Sequence, residues 1–252
     1  MLRPDPVLLR ELVETGSAIA VRPGLGRSEE AIRAAESAVG PLPASYRWWL
    51  ATYGVGEVGG VPIATVDPDG AAAPAGYADA PEAVTGGLDG DRLRFCEEPG
   101  GDDYSFALDR REGEECPVVR RDHLTGEEEQ FAETFAGFLG VREALAAGLR
   151  DGPNPTIARL WRTTPGMLLP DGVLVYGPQT IRERNETYEV GEYAPHWVLV
   201  GDDSGGNGLF MRHHGRDRTS VYALGLGAIE ADVEHAGEPV TDDLIGWLAD
   251  RA

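Results

Sequence analysis

Apolar residues recur at three- and four-residue spacing in two segments near the start of the chain, which predicts two amphipathic helices. The first begins after Ser28, a residue type that caps helices, and ends at Gly40. The second opens at Pro43 and ends at Gly54. Their inward-facing positions are Ala31, Ile32, Ala35 and Val39, followed by Tyr46, Trp49, Leu50 and Tyr53. A shorter helix over 7–14 is predicted to precede both.

Short apolar runs separated by Gly- and Asp-rich turns predict strands through most of the remaining chain. These runs lie at 61–66, 92–96, 104–109, 116–121, 173–176, 196–200, 208–212 and 219–225. The segment 127–145 predicts one closing helix, with Phe131, Phe135, Phe138 and Leu139 facing inward. A terminal helix is predicted over 242–250, and the Gly-, Ala- and Pro-rich tract 67–81 predicts a mobile loop.

The two halves of the chain share an order of predicted elements, which indicates an internal duplication. Each half has a strand, an acidic turn with two glycines, a second strand, a polar loop, another strand and a closing helix. The stretch E-E-P-G-G-D-D-Y-S-F at 97–106 corresponds to G-D-D-S-G-G-N-G-L-F at 201–210. We therefore predict a first domain over 1–150, a linker near 150–155 and a second lobe over 151–252.

The charge of the chain is its most unusual global property. Forty-three acidic residues oppose 22 basic ones, all of them arginine, for a net charge of −21. Residues 1–150 hold 27 acids and 14 arginines, and residues 151–252 hold 16 and 8, so both halves are acidic. Such a field repels phosphate backbones and favours encounter with a basic protein, so we expect no nucleic-acid partner. Acidity also keeps proteins soluble, and charge alone does not separate the two interpretations.

The sequence also indicates where the protein works. No run approaches the roughly 18 apolar residues that identify a membrane-spanning helix. The first residues include acids and prolines where a signal peptide has an uninterrupted apolar core. We therefore expect a cytoplasmic protein, with Cys96 and Cys116 as reduced core thiols. The alternative is a disulfide between them on neighbouring strands. No zinc ligand set is predicted around them.

The Gly- and Asp-rich stretch 200–214 is the strongest candidate for a ligand loop. A phosphate loop requires a lysine after its glycines, and the sequence contains none. A strand rather than a helix follows the glycines, which excludes a dinucleotide fingerprint, and the terminal glutamate of a calcium loop is absent. The stretch therefore predicts a turn. His213 and His214 are predicted to point to opposite faces of one strand. A metal-dependent hydrolase that uses Asp202, Asp203 and His213 is a minor hypothesis.

One long segment resembles the opening of SMI1/KNR4 (SUKH) domains. It reads I-R-A-A-E-S-A-V-G-P-L-P-A-S-Y-R-W-W-L-A-T-Y-G, and G-G-D-D-Y-S-F-A-L-D, P-V-V and A-E-T-F-A-G-F-L match later parts of the pattern. The resemblance covers about 28–140, and 151–252 resembles a divergent, partial SUKH lobe. The implied fold is α+β, with helices packed on a mostly antiparallel sheet. The family has no known catalytic residues and includes bacterial immunity proteins that neutralise polymorphic toxins, with eukaryotic relatives in regulatory assemblies.

From the resemblance and the charge we expect a binding protein rather than an enzyme, with no cofactor and no metal. The leading hypothesis is an immunity protein that masks a basic toxin domain through an acidic surface. The alternative is a SUKH-type regulatory or scaffolding protein without a toxin partner. The partner-binding candidates are one half-exposed aromatic side chain and the acids of the two turns: Trp48, Glu97, Glu98, Asp102, Asp103, Asp202 and Asp203.

Overall fold

The computed structural model describes residues 2–22, 24–66, 83–149, 152–215 and 217–252. The predicted loop at 67–81 lies outside the described residues, as do the first two residues of the predicted linker. The chain forms two compact units. The first unit is Ala18–Arg142, and the second unit is Met1–Ser17 together with Glu143–Ala252. Both units have α+β architecture with antiparallel strand pairs, which confirms the predicted fold class.

Within the described part of the chain, the α-helices are α1 (Pro6–Thr15), α2 (Glu29–Val39), α3 (Ala44–Thr52), α4 (Phe135–Ala146), α5 (Pro155–Trp161), α6 (Ile181–Thr187), α7 (Val190–Tyr193), α8 (Val233–Ala236) and α9 (Leu244–Ala249). The strands are β1 (Ile19–Val21), β2 (Gly56–Val58), β3 (Val61–Pro62), β4 (Leu88–Asp89), β5 (Arg92–Glu97), β6 (Asp103–Ala107), β7 (Val118–Arg121), β8 (Glu128–Ala132), β9 (Met167–Leu168), β10 (Leu174–Val175), β11 (Trp197–Asp202), β12 (Asn207–Arg212), β13 (Val221–Gly225) and β14 (Glu238–Thr241). None of these described helices is both long and apolar enough to cross a membrane.

In the first unit, local capping explains where α2 and α3 begin and end. The Ser28 hydroxyl accepts a hydrogen bond from the Ala31 backbone N–H (3.2 Å), and Gly40 ends α2 at a φ of +85°. Both predicted helices are confirmed. Proline precedes α3 and offers no side-chain cap, so the buried Glu115 carboxylate from a distant loop accepts the Ser45 backbone N–H (2.8 Å) instead.

An aromatic cluster forms the core of the first unit beneath its sheet. Strands β4 to β8 form a five-stranded antiparallel sheet in sequence order, and β1 to β3 form a separate three-stranded sheet. Phe95 and Phe106 stack at a centroid distance of 4.3 Å, and Tyr46 and Phe135 meet edge to face at 5.1 Å. Cys96 and Cys116 are free, buried thiols, as predicted. Burial raises the pKa of the Cys96 thiol to about 12.

The second unit has its own core and a six-stranded antiparallel sheet of order β14-β13-β12-β11-β10-β9. Its largest fully buried side chains include Trp161, Tyr176 and Phe210. Asn154, in the tract predicted to be a linker, is 1% exposed and caps α5 by accepting the Thr156 backbone N–H (2.7 Å). Part of that tract is therefore built into the fold of the second unit.

The central hairpins of the two units have the same register. In each, the register shifts by one residue in the first strand, at Phe95 and at Val200. The carbonyl oxygen of each shifted residue accepts a backbone hydrogen bond from an earlier segment of its own unit, from Ala64 (2.7 Å) and from Tyr176 (2.8 Å). Each pair of facing residues in the second hairpin lies 105 positions after the corresponding pair in the first. Thus Arg92–Ala107 corresponds to Trp197–Arg212, and Glu97–Asp103 corresponds to Asp202–Gly208.

The correspondence continues to the last helix of each unit. The pairs β7–β8 and β13–β14 each contain a register shift, directly after Val118 and Val221. The side chain of Thr134 accepts a hydrogen bond at the start of α4, and that of Asp243 does so at the start of α9. The repeat predicted from the sequence thus has a counterpart in strand registers and helix caps. The structure aligns the two turns at an offset of 105 positions, one more than the 104 that separate the stretches matched in the sequence analysis. The predicted family membership of the second lobe stays a prediction.

Two local predictions are wrong. The segment 127–145 is not one helix, because 128–132 forms β8 and pairs with β7 before the helix starts at Phe135. Tertiary strand pairing overrides the helix propensity of the glutamate run here. His213 and His214 do not point to opposite faces of a strand, because β12 ends at Arg212 and their rings contact each other with centroids 4.0 Å apart.

Candidate protein-binding surfaces

The acidic turn of the first unit is neutralised by arginines. It joins β5 to β6, and each of its four acids forms an ion pair with an arginine of the same unit. These pairs are Glu97 with Arg94 (2.6 Å), Glu98 with Arg142, Asp102 with Arg120 (2.5 Å) and Asp103 with Arg121 (2.7 Å). The structure therefore brings the four predicted acids together, but their combined net field is small because each charge is compensated.

Asp102 is the central residue of this turn. It accepts hydrogen bonds from the backbone N–H of His123 (3.0 Å) and lies 2.9 Å from His123 Nδ1. The hydrogen bonds from His123, together with the Arg120 guanidinium, hold the pKa of Asp102 well below its usual range. The carboxylate thus joins the β5–β6 turn to the β7–β8 turn, which is a structural role.

Glu98 and Arg142 form the most buried ion pair of the turn. Their side chains are 26% and 16% exposed, and the Tyr104 hydroxyl donates to Glu98 at 3.2 Å. Burial and the nearby Glu98 charge raise the pKa of Tyr104 to about 12, so the phenol stays protonated as a donor. Removing Glu98 from this site leaves a largely desolvated guanidinium without its carboxylate.

Trp48, the aromatic candidate, lies at the margin of the core. Its neighbour Trp49 is fully buried, as the helical phase predicts. Trp48 is half-buried and meets Tyr53 edge to face at 5.6 Å. One part of its ring is therefore committed to packing, and only the remainder can contact a partner.

In the second unit, Asp202 and Asp203 build the β11–β12 turn, which confirms the predicted turn. The Asp203 carboxylate accepts hydrogen bonds from the backbone N–H groups of Gly205 (2.8 Å) and Asn207 (2.9 Å) and from the Asn207 side chain (2.7 Å). These hydrogen bonds, led by those from Asn207, lower the pKa of Asp203. Asp202 accepts from the Tyr176 hydroxyl and from the backbone N–H of Ser204 (2.9 Å).

The three residues of the hydrolase hypothesis therefore have structural contacts. His213 Nε2 lies 2.9 Å from the Pro195 carbonyl oxygen, and both aspartates bond within their own turn or to Tyr176. Across the described ranges, no cluster of three or more His, Cys, Asp or Glu side chains is placed to hold a metal ion.

The sequence analysis did not identify a groove in the second unit, which we call the α6–α7 groove. It has a volume of about 580 Å³ and lies beside α6, α7 and the first residues of β11. Its apolar lining is formed by Leu149, Pro153, Ile181, Pro195, Trp197 and Val198. The glutamates at its rim are Glu186, Glu189 and Glu192. The sequence carried one signal of this rim, the recurrence of glutamate at three-residue spacing in N-E-T-Y-E-V-G-E.

A polar cleft of about 290 Å³ in the first unit is a weaker candidate. Its lining includes Arg92, Arg94 and Arg121, which could attract an anion. Each of these arginines already forms an ion pair: Arg92 with Asp109 (2.7 Å) and Glu128 (3.1 Å), and the other two with acids of the turn. An anion would have to displace these carboxylates, so the cleft does not form an open anion site.

Comparison with family models identifies the family of the first half of the chain. A family model described as SMI1-KNR4 cell-wall (SUKH_5) matches residues 8–141, slightly more than half of the chain. The chain belongs to the SMI1-KNR4 family. This family, the one that the sequence resembles, is associated with immunity proteins. A search of curated proteins finds no match.

Proposed function

We propose that this SMI1-KNR4 protein is a cytoplasmic immunity protein that binds and neutralises a polymorphic bacterial toxin. The observation that carries the proposal is its membership of a family associated with immunity proteins. The acid excess supports it: the first unit has 23 acids against 11 arginines, and the second unit has 20 against 11. A basic partner would be attracted by either unit.

Neutralisation by this protein requires binding and no chemistry of its own. The excess of carboxylates accelerates the encounter with a basic toxin domain, and contacts that exclude water then slow dissociation. A partner held in this way has its active site covered. The protein acts as a binding partner rather than as an enzyme in this proposal, and it requires no cofactor.

The predicted partner-binding residues differ in what they can offer to a toxin. Glu97 is the most exposed of the four acids in the first turn, and its ion pair with Arg94 lies at the surface, where such pairs contribute little and exchange readily. Glu98, Asp102 and Asp103 are held more tightly, by arginines or backbone groups. Asp202 and Asp203 are held by their own turn. Net attraction of a partner would therefore come mainly from acids outside the two turns.

The proposal is tested with the toxin domains encoded beside the gene. Each domain is purified in an inactive form, and its association with this protein is measured at several salt concentrations, alongside growth of cells that co-express the active toxin. We expect one domain to bind, with an association rate that falls as salt rises, and growth to be restored. If no neighbouring domain binds and a deletion strain grows normally beside its siblings, a regulatory or scaffolding role replaces the proposal.

A further inference from the structure

The α6–α7 groove combines an apolar floor with glutamates at its rim that form no ion pair within the described residues. Ile181, Trp197 and Val198 are buried at the floor, whereas Glu186 and Glu192 at the rim are exposed. In the part of the chain that the structure describes, neither Glu186 nor Glu192 forms an ion pair with an arginine or a histidine. This differs from the acids of the first turn, each of which has an arginine.

Two arginines beside the groove make contacts other than with the rim glutamates. Arg182 donates to the Ala147 carbonyl oxygen. Arg212 lies over the Trp197 ring, with its guanidinium carbon 4.4 Å from the centroid, and pairs with Glu234 at 2.7 Å. Neither arginine forms an ion pair with Glu186 or Glu192. An incoming cation would therefore meet carboxylates that have no competing partner there.

The groove is held open by hydrogen bonds rather than left as a loose gap. The Asn185 side chain accepts the Leu199 backbone N–H (2.9 Å) and donates to the carbonyl oxygens of Leu199 (2.8 Å) and Ile181 (2.8 Å). This amide fixes α6 to β11. At the end of α6, Glu189 adopts a left-handed conformation (φ +51°), which redirects the chain into α7 so that both helices border the groove. A preformed groove requires less ordering when it is filled.

We propose that the α6–α7 groove binds an apolar side chain of a protein partner, with a flanking lysine or arginine of that partner placed on Glu186 and Glu192. The proposal rests on the proposed function, because it identifies where a basic toxin domain would be held. The rim charge disfavours an acidic or phosphorylated ligand. The net charge of −21 disfavours a second copy of this chain as the occupant.

Two defined variants test the groove without altering its supporting hydrogen bonds. Glu186→Gln combined with Glu192→Gln removes the rim charge. Gly191→Phe adds bulk at the rim. The Gly191 φ lies outside the left-handed region, and a Cβ there meets no atom within 4 Å, so the helix tolerates the change. The matched control is Glu230→Gln with Glu238→Gln, two exposed acids of the same unit away from the groove that give the same change in net charge.

The probe is a twelve-residue helical peptide with leucines on one face and lysines and arginines on the other. Two matched peptides carry glutamates in place of the basic residues or serines in place of the leucines. Binding is followed through the indole N–H resonance of Trp197, assigned with Trp197→Phe, while the other four tryptophans report on non-specific effects. We expect the basic apolar peptide to shift this resonance saturably and the two matched peptides to leave it unchanged.

The double charge variant should raise the peptide Kd about fivefold to tenfold at low salt and less than twofold at about 0.5 M salt. Gly191→Phe should abolish the shift of Trp197, and the control should match wild type. The proposal is overturned if the basic apolar peptide leaves Trp197 unaffected, if the acidic peptide binds equally well, or if sedimentation shows a dimer that Gly191→Phe dissolves.

The same variants separate failure of this proposal from failure of the proposed function. If a neighbouring toxin domain binds wild type and Gly191→Phe equally, the groove proposal is wrong and the immunity function stands. If the peptide titration succeeds but no toxin domain binds, the groove accepts a basic partner of another kind and the immunity function is wrong.

Discussion

The buried carboxyl of Glu115 should make the first unit less stable as pH rises, and replacing it should remove this dependence. Glu115 is 7% exposed, and its two oxygens accept the Ser45 backbone N–H (2.8 Å) and hydroxyl (2.9 Å) at the start of α3. Burial raises its pKa to about 6, against the lowering effects of Ser45 and Arg111. The negative charge of the neighbouring Glu114 also raises the pKa of Glu115.

The sign and size of the effect follow from this raised pKa. A folded state with the higher pKa binds the proton more tightly than the unfolded chain, so stability falls as pH rises from about 4.5 through about 6. A shift of about 1.5 units corresponds to about 2 kcal/mol in full. The protein is least soluble near its isoelectric point of about 4.5, so measurements begin at about pH 5.3. Roughly 1 kcal/mol of the loss then falls between about pH 5.3 and pH 8.

The substitution Glu115→Gln keeps the shape and removes the charge. At each pH we compare the free energy of unfolding of the variant with that of wild type. We expect this difference to favour the variant by about 1 kcal/mol more at pH 8 than at pH 5.3. Hydrogen exchange of peptides that cover α3 measures this, because comparison with wild type at the same pH cancels the intrinsic exchange rate. The control is Glu127→Gln, which removes the charge of an exposed acid of the same unit that is not next to Glu115. A stability difference from wild type that is the same at pH 5.3 and at pH 8 would refute the reasoning.

Three further outcomes are expected. Glu98→Gln should destabilise the first unit by about 1–3 kcal/mol in urea unfolding, because it leaves the largely desolvated Arg142 without its carboxylate, whereas Glu97→Gln at the surface should cost less than about 0.5 kcal/mol. Asn185→Ala should destabilise the second unit by about 2–3 kcal/mol in the same assay, because it leaves a buried backbone N–H and carbonyl of β11 without partners. The native protein should show no labelling of Cys96 by a thiol reagent at pH 8, and labelling should appear on denaturation.

The parts of the fold that the sequence predicted correctly are those that local chemistry determines. Helix α2 has a capping serine, acids in its first turn and a glycine at its end, and all three signals lie within one segment. The β11–β12 turn was predictable for the same reason, because Asp203 bonds to backbone groups only a few residues away. In such segments the stabilising contacts are close in sequence, so a local sequence pattern is sufficient to predict the structure.

The errors occur where partners are distant in sequence. The glutamate run at 128–132 favours a helix by itself, but its backbone pairs with β7, which is visible only when the sheet is assembled. The two histidines after β12 were assigned to a strand because the pattern does not show where the partner strand starts. The arginines that form ion pairs with the first acidic turn come from β5, β7 and α4, up to 44 positions away. Charge density in the sequence therefore did not reveal charge compensation.

The repeated registers make it possible to separate acids that build the fold from acids that remain available. With the offset of 105 positions, Glu98 in the first unit corresponds to Asp203 in the second. The backbone N–H of each donates across its turn to a carbonyl oxygen, that of Asp102 (2.8 Å) in the first unit and that of Asn207 (3.0 Å) in the second. The same turn is thus built twice, with arginine ion pairs in the first unit and side-chain-to-backbone hydrogen bonds in the second.

The acids of the two turns already form ion pairs or hydrogen bonds within their own unit. Their presence in both units is therefore not evidence that they bind a protein partner. Glu186 and Glu192 lie outside this shared turn and are exposed beside an apolar groove. A partner that covers these carboxylates removes their hydration, which costs free energy, and no described residue forms an ion pair with them to offset that cost. A lysine or arginine of the partner would form such an ion pair. A comparison between the two units therefore directs the search for a binding surface to the α6–α7 groove, although the two turns contain the denser runs of negative charge.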